Sequence, residues 1–304
     1  MASWFGNVAS LVLMPFVLAG LILRVKSLAS GRKGQPLLQP AYDVLRLLRK
    51  SPVYGTVTTP VFRIAPWVFL LTALGSAVIV PVWGSQPLAS FPFDFVWFAY
   101  VWGLGRVAML LGALDTGSAF AGMGSARDAT FSALVEPVLF LVAGALCLRS
   151  GTHALSEGLR FAAGGSVLLR LCAALALLVV LQVECARMPV DDPSTHLELT
   201  MVHEVMVLDH SGPDLAAIQL ASMLKLFVGA SLIATLCNPW AGSGTLLAAG
   251  ANLALSALVA VSIGAIESLI ARLRLRVVPE YVSVALGLGA AALLLGAWGA
   301  APGP

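Results

Sequence analysis

Apolar runs and polar breaks alternate along this chain at the spacing of membrane helices. Eight stretches, near residues 4–23, 61–83, 94–114, 131–149, 163–184, 216–236, 245–268 and 278–299, are predominantly apolar. Each approaches the roughly 20 residues a helix needs to cross about 30 Å of hydrocarbon. The pattern predicts an all-α polytopic membrane protein of about eight transmembrane helices. Eight helices in 304 residues leave little room for a soluble domain, so residues 1–304 read as a single membrane domain. Between the first two spans, Ala41, Val44, Leu45 and Leu48 repeat at i, i+3, i+4 and i+7, while Asp43, Arg46, Arg49 and Lys50 take the other faces. This predicts an amphipathic helix over 37–50, too short to span and therefore lying in the interface. The spacing suits a plain membrane-surface helix and a docking ledge for a cytoplasmic partner equally.

Composition agrees: 59% of residues are hydrophobic, 11% are charged and the mean hydropathy is +0.93. Orientation follows from Lys and Arg in short loops. With the N-terminus outward, the inner side carries thirteen basic residues, among them Arg24, Lys26, Arg32, Lys33, Arg46, Arg49, Arg127, Arg187 and Arg272, against Arg149 and Arg160 outside. The net charge of +3 is this inner fringe, which suits the anionic headgroups of a lipid bilayer and not nucleic acid. No basic residue precedes the first span and Arg24 and Lys26 follow it, so a retained anchor helix is expected in place of a cleaved signal.

One polar stretch breaks the oily pattern, a cytoplasmic loop at 185–215. Seven of the fifteen acidic residues and three of the four histidines lie between Glu184 and Asp214. Glu184 stands at the mouth of a membrane helix, where an ionisable group is costly and functional by default. Arg106, Arg170 and Lys225 sit within spans and are expected to face the bundle and pair with acids. Glu136, Glu184, Glu267 and Glu280 all fall near the ends of predicted spans on the inner side, with Asp115, Asp191 and Asp192 flanking that level. Burial and like-charge neighbours raise carboxylate proton affinity, so such a cluster can hold and hand on protons near neutral pH.

Other chemistry finds little support. Cys147, Cys172, Cys185 and Cys237 form no C-x-x-C pair, which argues against iron–sulfur or zinc ligation and for packing roles. His196, His203 and His210 recur every seven residues, but His203-Glu204 does not complete H-E-x-x-H because Val207 holds the last position. These histidines are expected to be solvated or to face a partner. No phosphate-binding glycine motif follows a strand, and the two halves share no similarity of the kind many transporters show.

Four segments carry a family resemblance: Gly34–Lys50 with Leu-Leu-Gln-Pro, Arg106–Arg127 with Ala-Leu-Asp-Thr-Gly-Ser-Ala-Phe, Val135-Glu-Pro137, and Glu184–Asp214 with Glu-x-x-Arg-x-Pro-Val-Asp. The chain resembles the membrane-anchor subunit of respiratory complex I, the subunit 1 family. It looks most like the branch in group 4 NiFe-hydrogenase and formate hydrogenlyase complexes. The segment Val190-Asp-Asp-Pro-Ser-Thr-His-Leu-Glu198 departs from the Phe-Asp-Leu-Pro-Glu-Ala-Glu of quinone-reactive relatives and favours the hydrogenase-type branch.

The resemblance implies a tilted eight-helix bundle in a bacterial or archaeal cytoplasmic (inner) membrane. It implies no catalytic site, metal or cofactor in this chain. Iron–sulfur clusters and a NiFe centre would belong to partner subunits: a hydrogenase-like large subunit, an iron–sulfur small subunit and antiporter-like membrane subunits. By the same resemblance Glu184, Asp191, Asp192, Glu198 and Glu204 line a proton path with Glu136 and Asp115. Position along the spans adds Glu267 and Glu280 to that path, with Arg106, Arg187 and Lys225 as charge partners and Arg32, Lys33, Arg46 and Arg49 as the docking fringe. Two rivals remain open at this point, a quinone-site-forming subunit of complex I type and a stand-alone proton or cation transporter.

Overall fold

The computed structural model of the chain describes residues 2–83, 86–191, 201–241, 243 and 246–300. Its described elements are α1 (Ala2–Ala29), α2 (Gln39–Leu48), α3 (Pro60–Ala77), α4 (Asp94–Asp115), α5 (Ala119–Ser150), α6 (Leu155–Ala163), α7 (Val167–Glu184), α8 (Glu204–Val207), α9 (Gly212–Cys237), α10 (Leu246–Leu269) and α11 (Val278–Ala300). Eight of them are long and apolar enough to cross a membrane: α1, α3, α4, α5, α7, α9, α10 and α11.

α9 is the axis of the bundle, with 83% of its apolar window buried. α1, α2, α3, α6, α7 and α10 pack around it, while α11 closes the far side against α5 and α7. Small residues let backbones approach where dispersion must hold apolar helices together. A Cβ on Gly229 of α9 would lie 2.4 Å from Leu181 Cδ1 of α7. A Cβ on Gly105 of α4 would lie 2.2 Å from Thr72 Oγ1 of α3. Polar clamps close the remaining joints. Asn252 donates to Val82 O at 3.0 Å and accepts from Thr235 Oγ1 at 3.1 Å, all three buried. Asp94 accepts from the backbone N–H of Leu155 at 2.6 Å and so starts α6.

The structure departs from the sequence expectation in two places. α5 begins at Ala119, not near 131, because its first turns are polar but turned inward: Ser125, Asp128 and Ser132 are all buried. A hydropathy window reads such residues as loop. α6 is a separate amphipathic turn ahead of α7, which itself starts at Val167. α2 sets Pro40 and Val44 against the bundle and leaves Leu45 and Leu48 53% and 50% exposed, the apolar side that an interfacial helix turns to lipid.

Candidate functional site

Three helices deliver one charged group each to a point inside the bundle. α7 ends in Glu184, α4 presents Arg106 from its middle, and α9 presents Lys225 from its own. Arg106 Nη2 donates to Glu184 Oε1, and Lys225 Nζ donates to Oε2 at 3.0 Å. The Arg106 Nε lies 3.9 Å from Asp128 Oδ2 on α5. Two cations thus face two carboxylates, and the network is neutral overall. All four are buried, and Lys225 is 2% exposed. The ammonium also lies 5.1 Å from the Phe69 ring centre and 5.0 Å from that of Trp102. Taking an ion out of water costs several kcal/mol after relaxation, and pairing of this quality is what makes it tolerable. A void of about 10 Å³ remains among Phe69, Arg106, Asp128, Glu184, His203 and Lys225, close to the room one water needs.

Two further carboxylates, Glu267 and Asp191, gather three ion pairs around the segment that follows Glu184. Glu267 of α10 is held by Lys26 at 3.0 Å and by Arg187 at 3.6 Å. Asp191 accepts from Arg272 at 3.1 Å and from the backbone N–H groups of Val202 and His203 at 3.1 and 2.8 Å. Arg127 donates to Met201 O at 2.9 Å, which fastens the far end of the loop to α5. Beside this segment a cavity of about 270 Å³ opens between α1, α2 and α9, bordered by Leu23, Arg187, His203, Glu204, Ile218 and Gln219 among others.

The remaining sequence-chosen residues are dispersed. The four span-end glutamates do not form one cluster: Glu184 and Glu267 belong to separate networks. Glu136 is exposed well inside α5, because that helix starts so early, and borders a groove of about 460 Å³ with Tyr100, Gly103 and Phe140. Glu280 is exposed in the first turn of α11. Asp115 accepts from the Thr59 N–H at 2.7 Å and from the Phe62 N–H at 3.3 Å, so it caps the start of α3. Glu204 lines the cavity of about 270 Å³ beside α2. Arg32, Lys33, Arg46 and Arg49 are all exposed. Asp192, His196 and Glu198 lie outside the described residues.

His210 departs from the expectation that the histidines are solvated or face a partner. It is 4% exposed and stacks on Phe62 at 4.0 Å and 3°, with both ring nitrogens lacking a hydrogen-bond partner. Burial pushes its pKa down to about 4, against the pull of Asp214 and Asp209, so the ring is neutral. Burial likewise pushes the Cys185 thiol up to about 12, which makes it a packing group and not a nucleophile. Among the described residues no group of three or more His, Cys, Asp or Glu side chains could hold a metal ion.

Sequence reasoning missed Asp128, Lys26 and Arg272 as charge partners. For Asp128 a signal existed, since Ser125, Asp128 and Ser132 recur at helical spacing and form one polar stripe. Lys26 and Arg272 read only as fringe charges.

The family model described as NADH dehydrogenase matches residues 5–297. Hydrogenase-4 component C of Escherichia coli (strain K12) is 30% identical over 232 residues, 76% of this chain and 73% of that protein. Formate hydrogenlyase subunit 4 of the same organism is 28% identical over 306 residues, 91% of this chain and 95% of that protein. Among solved structures, a chain of the membrane-bound sulfane sulfur reductase, an archaeal respiratory membrane complex, superposes with a TM-score of 0.78 at 16% identity. That match covers 99% of this chain and 100% of the other, and it speaks for the fold alone.

Proposed function

The chain belongs to the NADH dehydrogenase family, and from that premise we propose that it is the membrane-anchor and proton-path subunit of a hydrogenase- or formate hydrogenlyase-type oxidoreductase. Its relatives in hydrogenase-4 and formate hydrogenlyase are subunits of such complexes. The soluble redox arm, with its iron–sulfur clusters and NiFe centre, sits on the inner face formed by the exposed Arg32, Lys33, Arg46 and Arg49 and the loop after Glu184. Antiporter-like membrane subunits join the bundle from the side.

The observation that carries this reading is the buried Arg106–Glu184–Lys225 network with Asp128 behind it. A carboxylate held by two cations is a charge balance poised to respond to added charge. An electron arriving in the seated arm adds negative potential at the inner face and favours proton uptake by nearby carboxylates. When Glu184 takes a proton, its hold on Lys225 weakens, and the freed ammonium biases the helices around it. That is a local electrostatic event with a remote readout. Replacing Glu184 with Gln keeps the shape and removes the charge. The variant complex is expected to assemble but to evolve hydrogen from reduced viologen slowly or without moving protons. Hydrogen evolution with normal proton movement would contradict the assignment.

A second reading draws on the cavity of about 270 Å³ beside α2, whose apolar floor includes Ala19, Leu23, Ile218 and Met223. A cavity of this size beside charged and hydroxylic groups suits a quinone headgroup and makes the chain part of a quinone-reducing complex. A quinone-site inhibitor that stops turnover supports this reading; indifference to it supports the hydrogenase type.

A further inference from the structure

The closed network around Glu184 and the open cavity beside α2 have one wall residue in common. Among the described residues, His203 alone borders both the void of about 10 Å³ at Arg106, Asp128, Glu184 and Lys225 and the cavity of about 270 Å³. It is only half-buried, unlike the four charged groups behind it. Its backbone is fixed: the His203 N–H donates to Asp191 Oδ2 at 2.8 Å, and Asp191 is in turn held by Arg272. The imidazole lies against Phe69, 6.4 Å between ring centres, and that same Phe69 ring carries the Lys225 ammonium on its face.

We propose that His203 is the proton-transfer residue between the open cavity and Glu184. The inference rests on the reading of Glu184 as a relay carboxylate. An imidazole has two nitrogens on opposite edges, one able to accept a proton while the other gives one up, so one ring can serve two compartments. The step is balanced. One nitrogen takes a proton from a hydronium delivered along the cavity waters, leaving neutral water, and the other nitrogen gives its proton through the single-water void to a Glu184 oxygen. The ring is then neutral as its other tautomer, which a ring flip resets, and Glu184 becomes the neutral acid. No other described side chain offers a titratable group to both sides of this wall. Glu204 and Arg187 border only the cavity, and Asp128 only the void.

The test uses the whole complex in proteoliposomes carrying an internal pH dye, driven by reduced viologen. His203→Ala is expected to slow proton movement at least tenfold, a modest share of the 10²–10⁴ typical of a positioned acid–base group. Millimolar imidazole is expected to restore it, because the small base fits the space the side chain leaves. Glu184→Gln is expected to be blocked and not rescued. If His203→Ala does not assemble, His203→Gln fills the site without a relay and is expected to be slow with a raised solvent isotope effect. Wild-type proton movement in His203→Ala or His203→Gln with Glu184→Gln blocked overturns this inference alone. Slow movement in an assembled His203→Ala that imidazole does not restore overturns it too, since that is the mark of a structural role. Wild-type movement in both Glu184→Gln and the His203 variants overturns the reading beneath it.

Discussion

Lys225 donates to Glu184 at 3.0 Å across 41 residues of sequence, and both are buried where α9 meets the end of α7. Removing one member of a buried pair leaves a charge with no compensation, a loss of about 3–5 kcal/mol. Lys225→Met is therefore expected to lower the melting temperature of the purified complex markedly. The double variant Lys225→Met with Glu184→Gln, which removes both charges, is expected to recover much of that loss while proton coupling stays absent. Thermal melting beside a turnover assay checks the separation of stability from function.

The His210–Phe62 stack sets a pH limit. The folded pKa is depressed to about 4 from the ordinary 6.5. Below 6.5 the unfolded chain takes up a proton that the folded one refuses. This contribution to stability is therefore complete above pH 6.5 and falls as pH drops from 6.5 toward 4, by up to about 1.4 kcal/mol per pH unit. His210→Phe keeps the stack and removes the titration. Its melting temperature is expected to fall less than that of the wild type between pH 7 and pH 4.5.

Gly20 of α1 faces the chain just before α2. A Cβ there would lie 1.9 Å from Leu37 O, a backbone atom that cannot swing aside. Gly20→Ala is expected to displace α2 from α1 by forcing that segment outward. The expected outcome is normal membrane insertion with weakened retention of the soluble subunits, read by co-purification on a tag placed on this chain.

The same ledge carries exposed Arg46 and Arg49. Reversing both charges, Arg46→Glu with Arg49→Glu, leaves the buried side of α2 at Pro40 and Val44 untouched. Loss of the soluble subunits at moderate salt, with the membrane subunits still together, is the expected result. Full retention would make α2 a lipid-facing helix only.

The fold was legible because membrane helices announce themselves by length and hydropathy, and all eight spans overlap those expected. What escaped was polar surface turned inward. Ser125, Asp128 and Ser132 extended α5 by three turns, yet a hydropathy window counts them as loop. Glu184, Arg106 and Lys225 were each legible as costly charges inside an apolar run. That they meet at one point was not, because three helices far apart in sequence converge there. The dispersal of Glu136, Glu267 and Glu280 was equally hidden: the early start of α5 carries Glu136 to mid-helix, and a place at the end of a span does not say which side of the bundle a residue faces.

The most direct test of the account is the number of protons moved per electron by the Glu184→Gln complex in sealed proteoliposomes driven by reduced viologen. The buried Arg106–Glu184–Lys225 network, read as a relay, predicts intact subunit composition with proton movement near zero. An unchanged proton-to-electron ratio in that variant would contradict it.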